Sequence, residues 1–594
     1  MAVRSSVRAA RQAARRHLFV GLLALRLANV VLVQTYIHPD ETWQSLEVAH
    51  QLAFGYGFVT WEWRHALRGF AHPMLFAAVY RLLAALRLDD TFLVVSTGDS
   101  EIMPGPLAAP YILVALTAAS IDYAVYRFAS RLAAGPIAEW ALLCSVVSWT
   151  MGSGIVRPLI NSAETALAAL AFVYWPWNAR LPGDSSASLP KALGFAALCC
   201  IIRPTSAVMW LCAGILLIAN QPRQNIVSRT LYITKTAIVV AMVALPAMLL
   251  IDYVGYGYWV FSPYQFYKFN VQQDLATWFG ESPPLYHLYV TLPILFTSML
   301  PFVFHGVYLA YKERGNELAA VTLEPAIVAL ATLVVFSLVS HMEYRFLYPL
   351  LPTGFLYAAL SLHRLAGPLL PEEKKPTAAK PTKSPAKSPA KSPAATTTIS
   401  CLGKKRPLCN VLLVYLFLTN IPAALYLNMV HQRGVVDVLG YLRSNDHVES
   451  IGFLMPCHST PFYSHLHKNI PMWFLSCEPP LERLHLASHY WEANDFEQQP
   501  KAFLDKIFNR VTSSDNGHHN ADTEIIAKTE YPMPGQWRPK PSHLVLYDSM
   551  VTRIRDTLGE MGYKECARFF NTHFEGDSRR QGDVVVFTNT NALE

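Results

Sequence analysis

Several motifs that would announce a soluble enzyme are missing from this sequence. No Gly-x-Gly-x-x-Gly follows a strand-like run, and neither a Walker loop nor a His-Glu-x-x-His occurs. Their absence removes the usual signatures of dinucleotide binding, nucleoside-triphosphate hydrolysis and zinc proteolysis. No Asp-x-Asp occurs anywhere, so the chain lacks the paired acids that commonly hold a metal against the diphosphate of a sugar nucleotide. The nine cysteines include no Cys-x-x-Cys pair, which excludes the common zinc and redox arrangements. Cys144, Cys199, Cys200 and Cys212 lie in apolar runs, where cysteine acts as a small hydrophobe. Charge is scarce as well. Asp, Glu, Lys and Arg make up 15% of the 594 residues against 52% hydrophobic, too apolar for a soluble protein of this size.

What is present is a series of runs long enough to cross a bilayer. The first, roughly 17 to 36, holds Arg26 and Asn29, polar groups that at such depth face a bundle interior or a cavity. Five arginines and no acid precede it, a composition shared with mitochondrial transit peptides, but the polar span that follows reads as an integral part of the bundle. Further spans are expected at 107–127, 137–155, 161–178, 231–251, 287–311, 322–340, 346–363 and 408–428. The stretch 192–219 reads as two short helices broken at Arg203-Pro204, because only then do Arg127, Lys191, Arg223, Lys312 and the Lys-rich tract share the cytosolic side. The net charge of +7 is thus a positive-inside bias and not a nucleic-acid face. About eleven membrane segments result, and the break points towards a site, since irregular backbone at membrane depth needs protein or a watery cavity around it.

This division gives a membrane domain over 1–370, with loops 37–106 and 252–286 on the far, lumenal side. A Lys/Pro-rich cytosolic linker with KSPAKSPAKSPA repeats follows over 371–407; its composition cannot build a core and reads as disordered. After the last span, 408–428, residues 429–594 turn polar with short strand-like runs at 450–455, 543–547 and 583–588, as in a small lumenal α/β domain. In an oxidising lumen Cys457 and Cys477 are candidates for a disulfide.

The chemistry-bearing stretch is TYIHPDETWQSLEVAHQLAFGYGFVTWEW, where Asp40 and Glu41 follow the first span directly. Pro39 and the two acids suit a helix N-terminus and could simply cap it. The helix they start is expected to reach Gly55, with Trp43, Leu46, His50 and Ala53 at helical spacing and Glu47 beside them, a pattern suited to a membrane interface. Basic groups able to meet one phosphate are Arg157, Arg203, His341 and Arg345. Each has a plainer reading: Arg157 can snorkel beside Pro158, Arg203 can pair with Glu164, and the aromatics of SHMEYRFLYPLLP can anchor an interface.

HPDETWQSLEVAHQLAFGYGFVTWEW, SHMEYRFLYPLLP and CHSTPFYSHLHKNIPMWFLSCEPP together resemble the glycosyltransferase family 22 mannosyltransferases, the third stretch most nearly its glycosylphosphatidylinositol (GPI) branch. The resemblance implies a polytopic α-helical GT-C fold in the endoplasmic reticulum membrane and dolichyl-phosphate-mannose as donor. It also implies an α-1,2 linkage to the second mannose of a GPI precursor, with no cofactor and no metal. By match to the family's His-Pro-Asp-Glu, Asp40 is the expected base and Glu41 the second choice. Arg203, His341, Arg345 and Arg157 are expected near the donor phosphate, and His38, Trp43, Trp61, Trp63 and Glu343 along the substrates. Thr42, where the family more often has a bulkier aromatic, and Met342, where it has a polar residue, bear on acceptor preference rather than reaction type. Two other functions remain open from sequence: a mannosyltransferase acting on dolichol-linked oligosaccharide, and a multi-span transporter, which internal repeats would favour.

Overall fold

A charge with no access to water organises the first helices. The computed structural model describes residues 17–92, 109–133, 135–177, 188–314, 321–369, 400–480, 489–509 and 536–590. The basic N-terminal arm and most of the expected 371–407 linker lie outside the described residues. Helix α1, Leu18–Val31, carries Arg26 fully buried, with Nε 2.6 Å from Asp122 Oδ2 and Nη2 2.9 Å from Oδ1. The same guanidinium donates to Asn29 Oδ1 and to the carbonyls of Met151 and Ser145. Every strong donor therefore finds an acceptor, the condition under which an intramembrane charge is tolerated. Thr150–Gly154 is a π turn, which frees carbonyls from the helix ladder. Its Gly152 carbonyl accepts from both Asn29 and Asn428.

Among the described residues four helices are long and apolar enough to cross a membrane: Ala109–Leu132, Ile226–Tyr256, His287–Lys312 and Pro407–Ser444. Turns at Thr150–Gly154, Pro204–Ser206 and Tyr344–Leu350, of π or 3₁₀ type, interrupt three of the other expected stretches, and Leu18–Val31, Ile160–Tyr174 and Glu324–Phe336 are simply shorter apolar helices. The expected break at Arg203-Pro204 is there: α2, Leu189–Ile202, ends at an extended Arg203, and α3, Ala207–Ala219, follows one 3₁₀ turn later. Proline disfavours helical backbone in the residue before it and removes a donor, which explains the stop. Glu164 holds the break, accepting from Arg203 Nη1 at 2.9 Å and from the Ser206 hydroxyl.

The stretch 37–106, expected as a loop, contains an apolar helix, Ala71–Leu86, whose Phe76, Ala77, Tyr80 and Leu83 enter the main core. Arg81 hides its pattern, and that side chain leaves the core to donate to the Leu52 carbonyl.

Residues beyond the helix Ser400–Met429 build a five-stranded sheet in the order β2-β1-β3-β5-β4. The strands are β1 Ile451–Phe453, β2 Met472–Phe474, β3 His543–Tyr547, β4 Tyr563–Phe569 and β5 Val584–Asn589. β1 pairs in parallel with β2 and β3, and β5 runs antiparallel to β3 and β4. Both faces are covered, so β3 and β5 read as unbroken apolar runs. Leu544, Leu546, Val585 and Phe587 face one core, Val545, Tyr547, Val584 and Val586 the other. That second core also takes in Tyr36, Trp43 and Phe58 from the membrane part, so the sheet is built against the stretch that carries Asp40. A Cys457–Cys477 disulfide ties the loop after β1 to the end of β2, with Cα atoms 6.0 Å apart.

Candidate active site

The helix that begins at Asp40 widens into a π turn, Thr42–Leu46, continues as Glu47–Phe54, and ends at Gly55, whose φ of 79° favours glycine. It does not lie on a membrane surface as its pattern suggested. Trp43, Leu46, Glu47 and His50 are each at most 2% exposed: the C-terminal domain covers Trp43, Glu47 and His50, and Leu46 packs into the main helical core.

The two adjacent carboxylates have opposite surroundings. Glu41 is sealed in: Oε1 accepts from the backbone N–H groups of Ile37 (2.7 Å) and His38 (3.1 Å), and Oε2 from Arg157 Nη1 (2.9 Å). Arg157 is saturated in turn by the Thr35 carbonyl and hydroxyl, both at 2.7 Å, and the Ser153 carbonyl at 3.0 Å. This pair fixes the entry of the chain into the helix, and it leaves Arg157 and Glu41 no free valence for a ligand.

Asp40 keeps 24% of its side chain exposed, with Oδ2 held 2.7 Å from Arg345 Nη2. Arg345 also grips Glu343 in a fork, Nε to Oε2 at 2.6 Å and Nη2 to Oε1 at 2.7 Å. Burial opposes ionisation of Glu343, but the Arg345 charge together with hydrogen bonds from His341 and Arg345 holds its carboxyl well below the usual range. His341 Nε2 lies 3.4 Å from Glu343 Oε1 and Nδ1 lies 2.9 Å from the Gly280 carbonyl. The Glu343 hydrogen bond raises the imidazole above its ordinary value against the opposing effect of burial. Gly280 has φ 110°, a conformation closed to other residues without strain, and the loop it ends is zipped to the turn by Ser282 N–H to the Ser340 carbonyl at 2.9 Å. His38 hydrogen-bonds the Tyr344 hydroxyl, and burial, aided by Arg345, pushes its imidazole down to about 3, so it is neutral.

Arg203 is not in this cluster of ion pairs. It is neutralised by Glu164 and stacks 4.7 Å over the Phe346 ring, beside the turn rather than on Asp40. Trp61 packs between Phe269 (5.1 Å) and Phe279 (6.2 Å) and so joins the aromatic loop to the site. Trp43 and Trp63 are packing residues: Trp43 stacks on Phe462 at 5.3 Å and donates to the Thr460 carbonyl, and Trp63 lies on Phe70 at 4.7 Å. Both are enclosed, which removes them from the substrate-lining set. Exposed aromatics lie farther along the same loop, with Tyr258, Trp259 and Tyr264 each more than half exposed.

Sequence reasoning missed Tyr344 as the partner of His38 and Glu47 as a contact of the C-terminal domain. Glu47 was visible only as an acid seven residues after Asp40. Its partners come from more than 400 positions away, which no local pattern reports.

The model of the Alg9-like mannosyltransferase family matches residues 17–467, which take in the Asp40 helix, the Arg345 turn and the start of the C-terminal domain. The chain belongs to that family. It is a mannosyltransferase. The chain is 35% identical over 576 residues to GPI mannosyltransferase 3 of Yarrowia lipolytica, covering 96% of both proteins. It is 33% identical to mannosyltransferase APTG1 of Arabidopsis thaliana over 97% of this chain and 93% of that one. It is 32% identical to GPI alpha-1,2-mannosyltransferase 3 of Homo sapiens over 94% of this chain and 84% of that one. Among solved structures, ArnT from Cupriavidus metallidurans bound to undecaprenyl phosphate aligns over 97% of this chain and 98% of its own, with TM-score 0.55 and 11% identity. That likeness is one of fold alone, the GT-C type.

Proposed function

We propose that the protein is an inverting α-1,2-mannosyltransferase that moves mannose from dolichyl-phosphate-mannose to the second mannose of a GPI precursor, on the lumenal face of the endoplasmic reticulum membrane. The names of its relatives support the acceptor and the linkage. The observation that carries the chemistry is the contrast between the two acids: Glu41 is saturated, while Asp40 is partly open and faces the turn that gathers Arg345, Glu343 and His341.

In this reading the attacking hydroxyl oxygen bonds to the anomeric carbon from the face opposite the phosphate. The bond from that carbon to the phosphate oxygen breaks, its electron pair leaves with dolichyl phosphate, and the hydroxyl proton passes to Asp40. Inversion of a β-linked donor gives the α product. A lipid monophosphate is a competent leaving group without a general acid, and the charge it gains is met by preorganised cations. Arg345 and His341 supply them. As the guanidinium turns towards the phosphate it releases the Asp40 carboxylate oxygen it now holds, which is then free to meet the hydroxyl proton. Arg203 lies one ring away, across Phe346, and serves the lipid-phosphate side. No step calls for a metal.

Transfer by the purified full-length protein from dolichyl-phosphate-mannose to a two-mannose GPI acceptor, run with and without chelator, tests this. Transfer only to a dolichol-linked oligosaccharide overturns the acceptor, and loss of rate on chelation overturns the metal-free step.

A further inference from the structure

One ionisable side chain is sealed between the membrane part and the C-terminal domain without facing the reacting groups. Glu47 is 0% exposed and sits in the helix that starts at Asp40. Its carboxyl takes all its hydrogen bonds from the C-terminal domain: the Phe462 N–H at 2.9 Å and the Ser464 hydroxyl at 2.5 Å on Oε1, and the Ser464 N–H at 3.1 Å on Oε2. The two N–H groups stand at the start of the one-turn helix Tyr463–Leu466, where helix geometry leaves donors unpaired. The Asp40 helix therefore supplies the acceptors that this turn lacks, and the turn supplies the donors that a buried carboxyl needs.

Three more contacts run the same way. The Tyr36 hydroxyl donates to the His458 carbonyl at 3.1 Å, Trp43 Nε1 to the Thr460 carbonyl at 3.0 Å, and His50 Nε2 lies 2.9 Å from His467 Nδ1. The gripped segment begins beside the Cys457–Cys477 disulfide, which limits its movement. Among these contacts only Glu47 binds the turn through more than one of its atoms.

We propose that Glu47 is a positioning residue that fastens the helix bearing Asp40 to the C-terminal domain, so that the domain aims the base at the acceptor hydroxyl. The inference rests on Asp40 being the base. The domain is then a part of the transfer machinery, and residues 458–467 are where it acts.

The test compares E47Q and S464A with the parent, as full-length protein in lipid nanodiscs. Rates with dolichyl-phosphate-mannose and the two-mannose GPI acceptor are normalised to sites that bind dolichyl phosphate, so that lost protein is not counted as lost chemistry. E47Q is expected to lower kcat about tenfold or more with both KM values within about twofold, since small misplacement of a reacting group costs rate rather than affinity. S464A, which keeps both backbone donors, is expected to lose less, and the double variant no more than E47Q alone, because both changes break the same contact. An unchanged kcat per binding site in E47Q, or a raised KM at constant kcat, overturns the proposal. If E47Q does not accumulate as folded protein, S464A decides by the same split between kcat and KM. D40N run beside them separates the two claims: near-normal turnover there removes the base assignment, while an inactive D40N beside a fully active E47Q removes only the positioning role.

Discussion

Glu41→Gln is expected to cost the protein its stability far more than its chemistry. The Glu41–Arg157 pair is buried at both ends, with 4% and 0% of the side chains exposed, and Glu41 has three donors within 3.1 Å. In the variant the amide oxygen can keep the two backbone N–H groups, but the amide nitrogen then points donors at the Arg157 guanidinium. Breaking one partner of such a pair costs about 3–5 kcal/mol, because the other charge is left buried. Arg157→Met should cost a similar amount by stranding Glu41, and the double variant should recover much of the loss, since replacing both partners by uncharged groups is close to neutral. Thermal unfolding in nanodiscs, with the two singles and the double as a cycle, reads the coupling directly. Transfer per folded protein should stay within about tenfold of the parent in the double variant. A Glu41→Gln protein that melts like the parent but does not turn over would refute the argument, and would move the base role from Asp40 to its neighbour.

Three other outcomes follow from the same geometry. Reducing the Cys457–Cys477 bond, or replacing both cysteines by serine, opens a loop with a separation of 20 residues and should cost about 3 kcal/mol. Limited proteolysis should then cut first in residues 458–467; an unchanged cleavage pattern would count against the disulfide as the restraint there. His341 is raised above its ordinary value by Glu343, so its contribution as a cation is complete below about 6.5 and is lost as pH rises through the raised value. The KM for donor should therefore climb across that window and flatten in His341→Gln; a climb that persists in the variant assigns the titration elsewhere. For orientation, protease added to sealed microsomes should cut the 371–406 tract and spare 429–594, and the opposite pattern would invert the assignment of faces.

Part of the fold was legible: hydropathy marks the four helices that are long and apolar enough to cross a membrane among the described residues, and Arg203-Pro204 announces the break between two short helices. The motif around Asp40 was legible as chemistry. Its sorting was not: nothing local distinguishes Asp40 from Glu41, and the difference comes from Arg157, 116 residues away, and from Arg345 in a turn between two later helices. Trp43 reads in sequence as an interfacial or substrate-facing aromatic, yet it fills a core completed by Phe462 and Phe474 of the C-terminal domain. A one-dimensional pattern gives the face a side chain occupies, not what comes to cover it. The helix Ala71–Leu86 was missed for the related reason that an arginine leaving the core towards a carbonyl breaks an otherwise apolar stripe.

The central claim is that Asp40 takes the proton of the attacking hydroxyl, and Asp40→Asn measures it most directly. The amide keeps the size and can keep a bond to Arg345 through its oxygen, but it cannot accept the proton. With saturating dolichyl-phosphate-mannose and the two-mannose acceptor, transfer should fall by about 10²–10⁴-fold, while dolichyl phosphate binding and the unfolding midpoint match the parent. Turnover in Asp40→Asn within a few fold of the parent would contradict the account.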